Sequence, residues 1–269
     1  MLRFISKKCP PPRRVEQRHE RLARDEQAST THLFTSKTLV GKEVSKLVRK
    51  TAFTLAEVLI TLGIIGVVAA ITMPGLIQNH RKHVVENHLK KFYTTMNQVI
   101  QMSEAQNGSK QNWMWQLGSE EYTTENFYNT YIRNYIDAVE TEVYSENEVR
   151  AYLKDGTAVV FQGAGIGGGH VYFFMRASDL KSSTHSNLYG KRIFSFGFWP
   201  NTNAYDYKYH YNKGIEPYLL YWDGVKDLYN SNSNGNVCCK AKSGGVNHNC
   251  AAIIKLNDWK IPDDYPIKF

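Results

Sequence analysis

The residues of this sequence that could do chemistry fall in two places. The first is a single carboxylate, Glu57, inside FTLAEVLITLGIIGVVAAITMPGLI (53–77), a run otherwise apolar or small apart from its Thr residues and preceded directly by Arg49-Lys50-Thr51-Ala52. A carboxylate there is disfavoured by roughly 2.5–3.5 kcal/mol on insertion scales, less where it reaches the interface, so Glu57 needs a cationic partner. In a low-dielectric setting the attraction to that partner is strong. The second place is the C-terminal cysteine group, Cys238, Cys239 and Cys250, with Cys9 far upstream. If this part of the chain is exported, Cys238 or Cys239 can close a short loop with Cys250. Metal binding is the competing use, but adjacent cysteines lack the C-x-x-C spacing and His248 is the only obvious fourth ligand.

Other signals are weaker. Gly163, Gly165, Gly167, Gly168 and Gly169 form a glycine-rich run with no helix predicted after it and no Lys-Ser or Lys-Thr ending, which reads as a flexible turn and not as a phosphate loop. His80, His83 and His88 contain no i, i+4 pair and read as a solvated, interfacial face. Asp258, Asp263 and Asp264 show no recognisable calcium-ligand pattern. No triad, paired-carboxylate site or nucleophile elbow is present, so the expectation is no enzyme activity, no metal and no cofactor.

The elements that must position Glu57 follow from charge and periodicity. The chain of 269 residues has a formal charge of +8 and 42% hydrophobic residues, enough for a packed core. Residues 1–52 carry thirteen Lys or Arg against five Asp or Glu, and the remaining 217 residues carry twenty of each, so all the excess positive charge precedes Phe53. A basic patch on a folded nucleic-acid-binding domain would not be distributed this way, and no nucleic acid is expected as a partner. A charged segment retained on the cytoplasmic side of a membrane would be. Residues 1–52, with Pro10, Pro11 and Pro12, show no sustained apolar periodicity. Residues 53–77 exceed the roughly 20 needed to cross a bilayer as a helix. Lys46, Arg49 and Lys50 before them predict a cytoplasmic N-terminus and an exported C-terminal part.

Beyond Asn79, Val85, Leu89, Phe92, Met96 and Val99 recur at spacings of four, three, four and three, one stripe of an amphipathic helix, with Glu86 and Lys90 expected to pair on the other face. Nothing breaks the helix before Gly108, giving a rod of about 75 Å at 1.5 Å per residue. From 107 onward the composition is that of a globular domain. A short helix is expected over 126–139, a hairpin over 149–153 and 157–162, further strands over 170–176 and 191–198, and mostly polar loop over 199–235. The fold class is α+β: a long N-terminal helix, half transmembrane and half amphipathic, packed on an antiparallel sheet.

The join at Ala52, Phe53 and Glu57 resembles the N-terminal cleavage and methylation motif of type IV prepilins and type II secretion pseudopilins. In that family a basic leader ends in a small residue, the first mature residue is usually Phe, and a Glu sits four residues later. Ala52 stands where Gly is commoner and is likewise small. The resemblance implies removal of residues 1–52 by a prepilin peptidase/N-methyltransferase, N-methylation of Phe53, and pairing of the new α-ammonium with Glu57 of a neighbouring subunit. Removing Arg49 and Lys50 takes away charges that oppose burying this helix end, so cleavage acts as an assembly switch. Gly63, Gly66, Ala69 and Ala70 allow close backbone approach, and Pro74 removes a backbone donor; pilins are similar in carrying Gly and Pro in this part of the helix.

The domain organisation expected is a leader over 1–52, a membrane and assembly helix over 53–77, its amphipathic continuation over 78–106 and an α+β domain over 107–269. The function expected is a pilin-like structural subunit, single-pass in a bacterial inner membrane and then part of a pilus or pseudopilus. Its partners would be copies of itself or other pilins, the inner-membrane assembly machinery and the lipid bilayer. The rival is an exported enzyme cut after Val68-Ala69-Ala70, before Ile71, by an ordinary signal peptidase. A third reading is an uncleaved signal anchor carrying a binding domain. Against the rival, Glu57 would sit without use inside the signal, and the amphipathic helix would lose its membrane half.

Overall fold

The computed structural model describes residues 53–115, 122–163, 167–182, 185, 187–219, 239 and 248–269. The leader, Ala52, Gly165 and Cys238 lie outside them, as does the 220–235 part of the expected loop.

One helix, α1 (Leu55–Asn107), carries both the apolar and the amphipathic sequence patterns and runs through Pro74. At 1.5 Å per residue its 53 residues reach about 80 Å. It ends where Gly108 takes φ +76° and donates its N–H to Glu104 O at 3.0 Å, the left-handed stop that glycine adopts without a Cβ clash. The stripe Val85, Leu89, Phe92, Met96 and Val99 is buried along its length, joined by Ile100.

What buries it is a six-stranded antiparallel meander in the spatial order of the sequence: β1 (Ala138–Ser145), β2 (Glu148–Leu153), β3 (Ala158–Gly163), β4 (Gly169–Phe174), β5 (Ile193–Phe198) and β6 (Glu216–Pro217). Pairing Val149 with Phe161, Phe161 with Val171 and Val171 with Phe196 sets one row across the sheet. A second row runs from Ala151 through Val159 and Phe173 to Phe194. Side chains alternate faces along a strand, so both rows face α1. Phe92 stacks on Phe173 with centroids 4.3 Å apart and meets Phe196 edge-on at 4.8 Å. Val160, Phe174 and Ile193 point the other way and form a smaller cluster with Ala158 and Leu180. The molecule is thus α+β, a long helix lying on an antiparallel sheet.

Four expectations change. The helix expected over 126–139 stops early: α2 (Thr124–Phe127), capped by the Thr123 hydroxyl, continues as a π turn (Tyr128–Ile132). Its tail becomes β1, because Ala138 pairs with Leu153 and Val143 with Val149, and this ladder with β2 outweighs local helical preference. The glycine run is more than a flexible turn. Gly163 ends β3, Gly169 begins β4, and a Cβ on Gly169 would lie 2.5 Å from Gln162 O and 2.6 Å from Trp115. Residues 199–219 are mostly turn and irregular backbone, as expected, but less polar than expected, for Trp199, Ile215, Tyr218 and Leu219 are buried and the two-residue β6 lies among them. Finally, Glu86 does not pair with Lys90 on an outer face. It is 6% exposed and turns inward, while Lys90 is exposed. The pattern also left unread a C-terminal helix, α3 (Cys250–Leu256), whose first five residues are buried.

Candidate assembly and membrane surface

Among the described residues the apolar half of α1 has no packing partner. No residue of its most apolar 18-residue stretch is buried, and Leu55, Leu59, Ile60, Ile64, Ile65, Val67 and Ile71 are all more than half exposed. This helix is long and apolar enough to span a membrane. Its polar side chains fit that setting. Thr61 Oγ1 donates to Val58 O at 3.0 Å and Thr72 Oγ1 to Val68 O at 2.9 Å, so neither hydroxyl depends on water.

Phe53 lies just ahead of the helix, 84% exposed, and Glu57 is in the first turn, where the positive end of the helix dipole favours a carboxylate. Gly63, Gly66 and Gly75 have open space where a Cβ would stand, with nothing within 4 Å. Among the described residues nothing therefore requires them to be small, and the space beside them can take another helix backbone.

The second half of α1 is fastened to the domain by buried polar groups that sequence periodicity alone did not reveal. Glu86 Oε1 accepts from Ile261 N–H at 2.8 Å, and Oε2 lies 2.9 Å from His83 Nδ1 and 3.4 Å from Lys260 Nζ. Burial alone would raise the Glu86 pKa; the hydrogen bond from Ile261, then those from His83 and Lys260, outweigh it and hold the carboxyl below its ordinary value. Further along, Glu216 of β6 accepts from Tyr93 of α1 at 2.9 Å and from Tyr209 at 3.2 Å, and is paired with Lys255 of α3. Asn97 completes this seam, donating to both Tyr93 O and Ile215 O at 2.9 Å.

Cys239 and Cys250 form a disulfide at the N-terminus of α3, 11 residues apart in sequence and both buried. His248 is tied to β5. Its Nδ1 lies 2.7 Å from Ser195 Oγ, within an aromatic cluster on the sheet face away from α1. There Tyr218 lies 4.8 Å from His248 and 5.3 Å from His170, and Trp199 meets His170 and His210 edge-on at 5.2 Å each. Leu219 N–H donates into His210 Nε2 at 3.2 Å, which requires a lone pair on that nitrogen. Burial lowers the pKa of His170 and His248 to about 4 and, with Lys213 nearby, that of His210 to about 3. Among the described residues no group of three or more His, Cys, Asp or Glu is arranged to hold a metal ion. Of the other groups read from sequence, His83 is tied to Glu86, His80 and His88 line a cavity beside α1, and Asp258, Asp263 and Asp264 are exposed.

A family model described as a family of unknown function (DUF6613) matches residues 75–269, most of the chain, beginning one residue after Pro74. No curated protein and no solved structure matches the sequence.

Proposed function

We propose that this chain, which belongs to the DUF6613 family, is a prepilin-like structural subunit, cut before Phe53 and assembled through the apolar half of α1. The observation that carries the reading is a coincidence of position. Phe53-Thr-Leu-Ala-Glu57 stands at the very start of a helix whose first half is exposed among the described residues and whose second half is fixed to a sheet domain. A bilayer and neighbouring helices are the two surroundings that cover such a surface, and a filament subunit uses each in turn.

The chemistry follows from charge. Before cutting, Arg49 and Lys50 adjoin the helix end and hold it at the membrane surface. Cutting leaves residues 53–269 with equal numbers of acidic and basic side chains and creates an α-ammonium at Phe53. The Phe53 ammonium of one subunit meets the Glu57 carboxylate of the next, neutralising both where helices pack in a low-dielectric setting. Gly63 and Gly66 let those helices approach. The partners are the prepilin peptidase/N-methyltransferase, like subunits and the assembly machinery of a bacterial inner membrane, with the domain on the exported side. The role is structural, in a type IV pilus or a type II secretion pseudopilus.

The test is mass spectrometry of the N-terminal peptide of the protein recovered from host membranes or sheared filaments. A peptide beginning at N-methylated Phe53 is the expected result. One beginning at Ile71, or a chain that keeps residues 1–52, overturns the proposal.

A further inference from the structure

A cavity of about 610 Å³ lies between α1 and the segment joining β4 to β5, just past the apolar half of the helix. Its volume is within the range of small-molecule sites. Four cations line it: Arg81 from α1, and Arg176, Lys191 and Arg192 from the joining segment. Arg192 is paired with Asp179 at 3.3 Å. Among the described residues the other three have no acidic partner within ion-pair distance, and no Asp or Glu lines the cavity. Apolar side chains share the lining, among them Val85 and Leu188. Concentrated positive charge in a lining shared with apolar side chains suits an anion attached to something greasy, and arginine matches a phosphate with paired N–H donors.

Position selects the source of that phosphate. Counting from Ile77 at 1.5 Å per residue, His80 stands about 5 Å and His88 about 17 Å along the helix beyond the apolar segment. The headgroup layer of one leaflet is roughly 5–8 Å deep. The part of the cavity lined by His80 and Arg81 therefore lies in that layer when residues 53–77 lie in the hydrocarbon. Long Lys and Arg side chains reach several ångströms toward the interface from higher positions.

We infer that this cavity binds the headgroup phosphate of an anionic phospholipid from the leaflet at the Ile77 end of the span. Arg81, Arg176 and Lys191 provide the charge, and the apolar side chains of the lining meet the glycerol and the tops of the acyl chains. A zwitterionic headgroup is disfavoured because its ammonium would enter the same cluster of cations. The inference rests on the apolar half of α1 lying in a bilayer and not on cutting before Phe53, so a chain that retains its leader tests it equally well.

The experiment uses the full chain in vesicles of phosphatidylcholine and phosphatidylglycerol in equal parts. Flotation reads insertion, and native mass spectrometry reads the lipid retained on release. The wild type should retain phosphatidylglycerol over phosphatidylcholine by about tenfold, and Arg176→Gln with Lys191→Gln should abolish the preference without changing flotation. Arg176→Lys with Lys191→Arg keeps the charge and should keep the preference, which separates loss of binding from loss of folding. Equal retention of both lipids by the wild type overturns the site, as does an unchanged preference in the glutamine variant. Displacement of phosphatidylglycerol by millimolar inorganic phosphate overturns the lipid assignment in favour of a soluble anion. A chain that fails to float with either lipid removes the proposal together with the membrane placement of α1, whereas an uncut Phe53 leaves it standing.

Discussion

Acid should loosen this protein well before its carboxylates protonate, because three histidines are buried as neutral rings. His170 and His248 titrate at about 4 and His210 at about 3, all below the ordinary value near 6.5 that applies to the unfolded chain. As pH falls through 6.5 the unfolded chain takes up protons that the folded one refuses, so stability is lost from pH 6.5 downward until the folded values near 4 are reached. Each ring contributes about 1.4 kcal/mol per pH unit in that window. At pH 5.5 the three together remove roughly 4 kcal/mol relative to pH 7.5, a large part of a typical stability of about 5–15 kcal/mol. The depressed carboxylates cannot account for this. Asp155, with burial opposed by hydrogen bonds from Lys91 and Thr157, is lowered to about 2, and Glu86 is also lowered, so both act at more acid pH. The assay is urea unfolding of the full chain in detergent, disulfide intact, at pH 7.5, 6.5 and 5.5. His248→Phe removes one ring and should flatten the dependence by about a third, whatever it does to stability at pH 7.5. A stability that does not change between pH 7.5 and 5.5, or a slope unaltered in His248→Phe, would refute the reasoning.

Three further outcomes are expected. Reducing Cys239–Cys250, or replacing Cys250 with Ser, should lower stability by about 3 kcal/mol through the loop it closes, measured as a shift in the urea midpoint. Glu216→Ala should cost about 2–3 kcal/mol by leaving Lys255, Tyr93 and Tyr209 without their shared acceptor; an unchanged midpoint would show that the seam is held by apolar packing alone. Glu57→Leu should leave membrane recovery unchanged and lower the yield of sheared filaments at least roughly tenfold; equal yields would remove Glu57 from the assembly step.

The stripe from Val85 to Val99 could be read from sequence because helical burial imprints a period that needs no knowledge of the partner. Strands β2 to β5 were legible for a similar reason, being short β-branched and aromatic runs between turn residues. Glu86 was misread because its inward turn depends on Ile261 N–H, 175 residues away, which no local pattern reports. Strand β1 was missed because it lies at the sheet edge with most of its side chains exposed, so it shows no alternation and exists through its ladder with β2. The histidines of the aromatic cluster are scattered over 170, 210 and 248 and come together only when the sheet forms. A similar dispersal hid the basic cavity, whose cations come from two segments about 95 residues apart in sequence.

Because α1 is a single helix from Leu55 to Asn107, the domain is clamped to its far half at one azimuth. Successive residues turn by about 100°, so a one-residue insertion between Ile77 and Val84 would swing the sheet about a third of a revolution around the rod while advancing it by only about 1.5 Å. Seven inserted residues would restore the heading to within about 20° and lift the domain by about 10 Å. The linkerless helix therefore works as a key in a shaft: whatever grips the apolar half also dictates the compass bearing of every loop on the sheet.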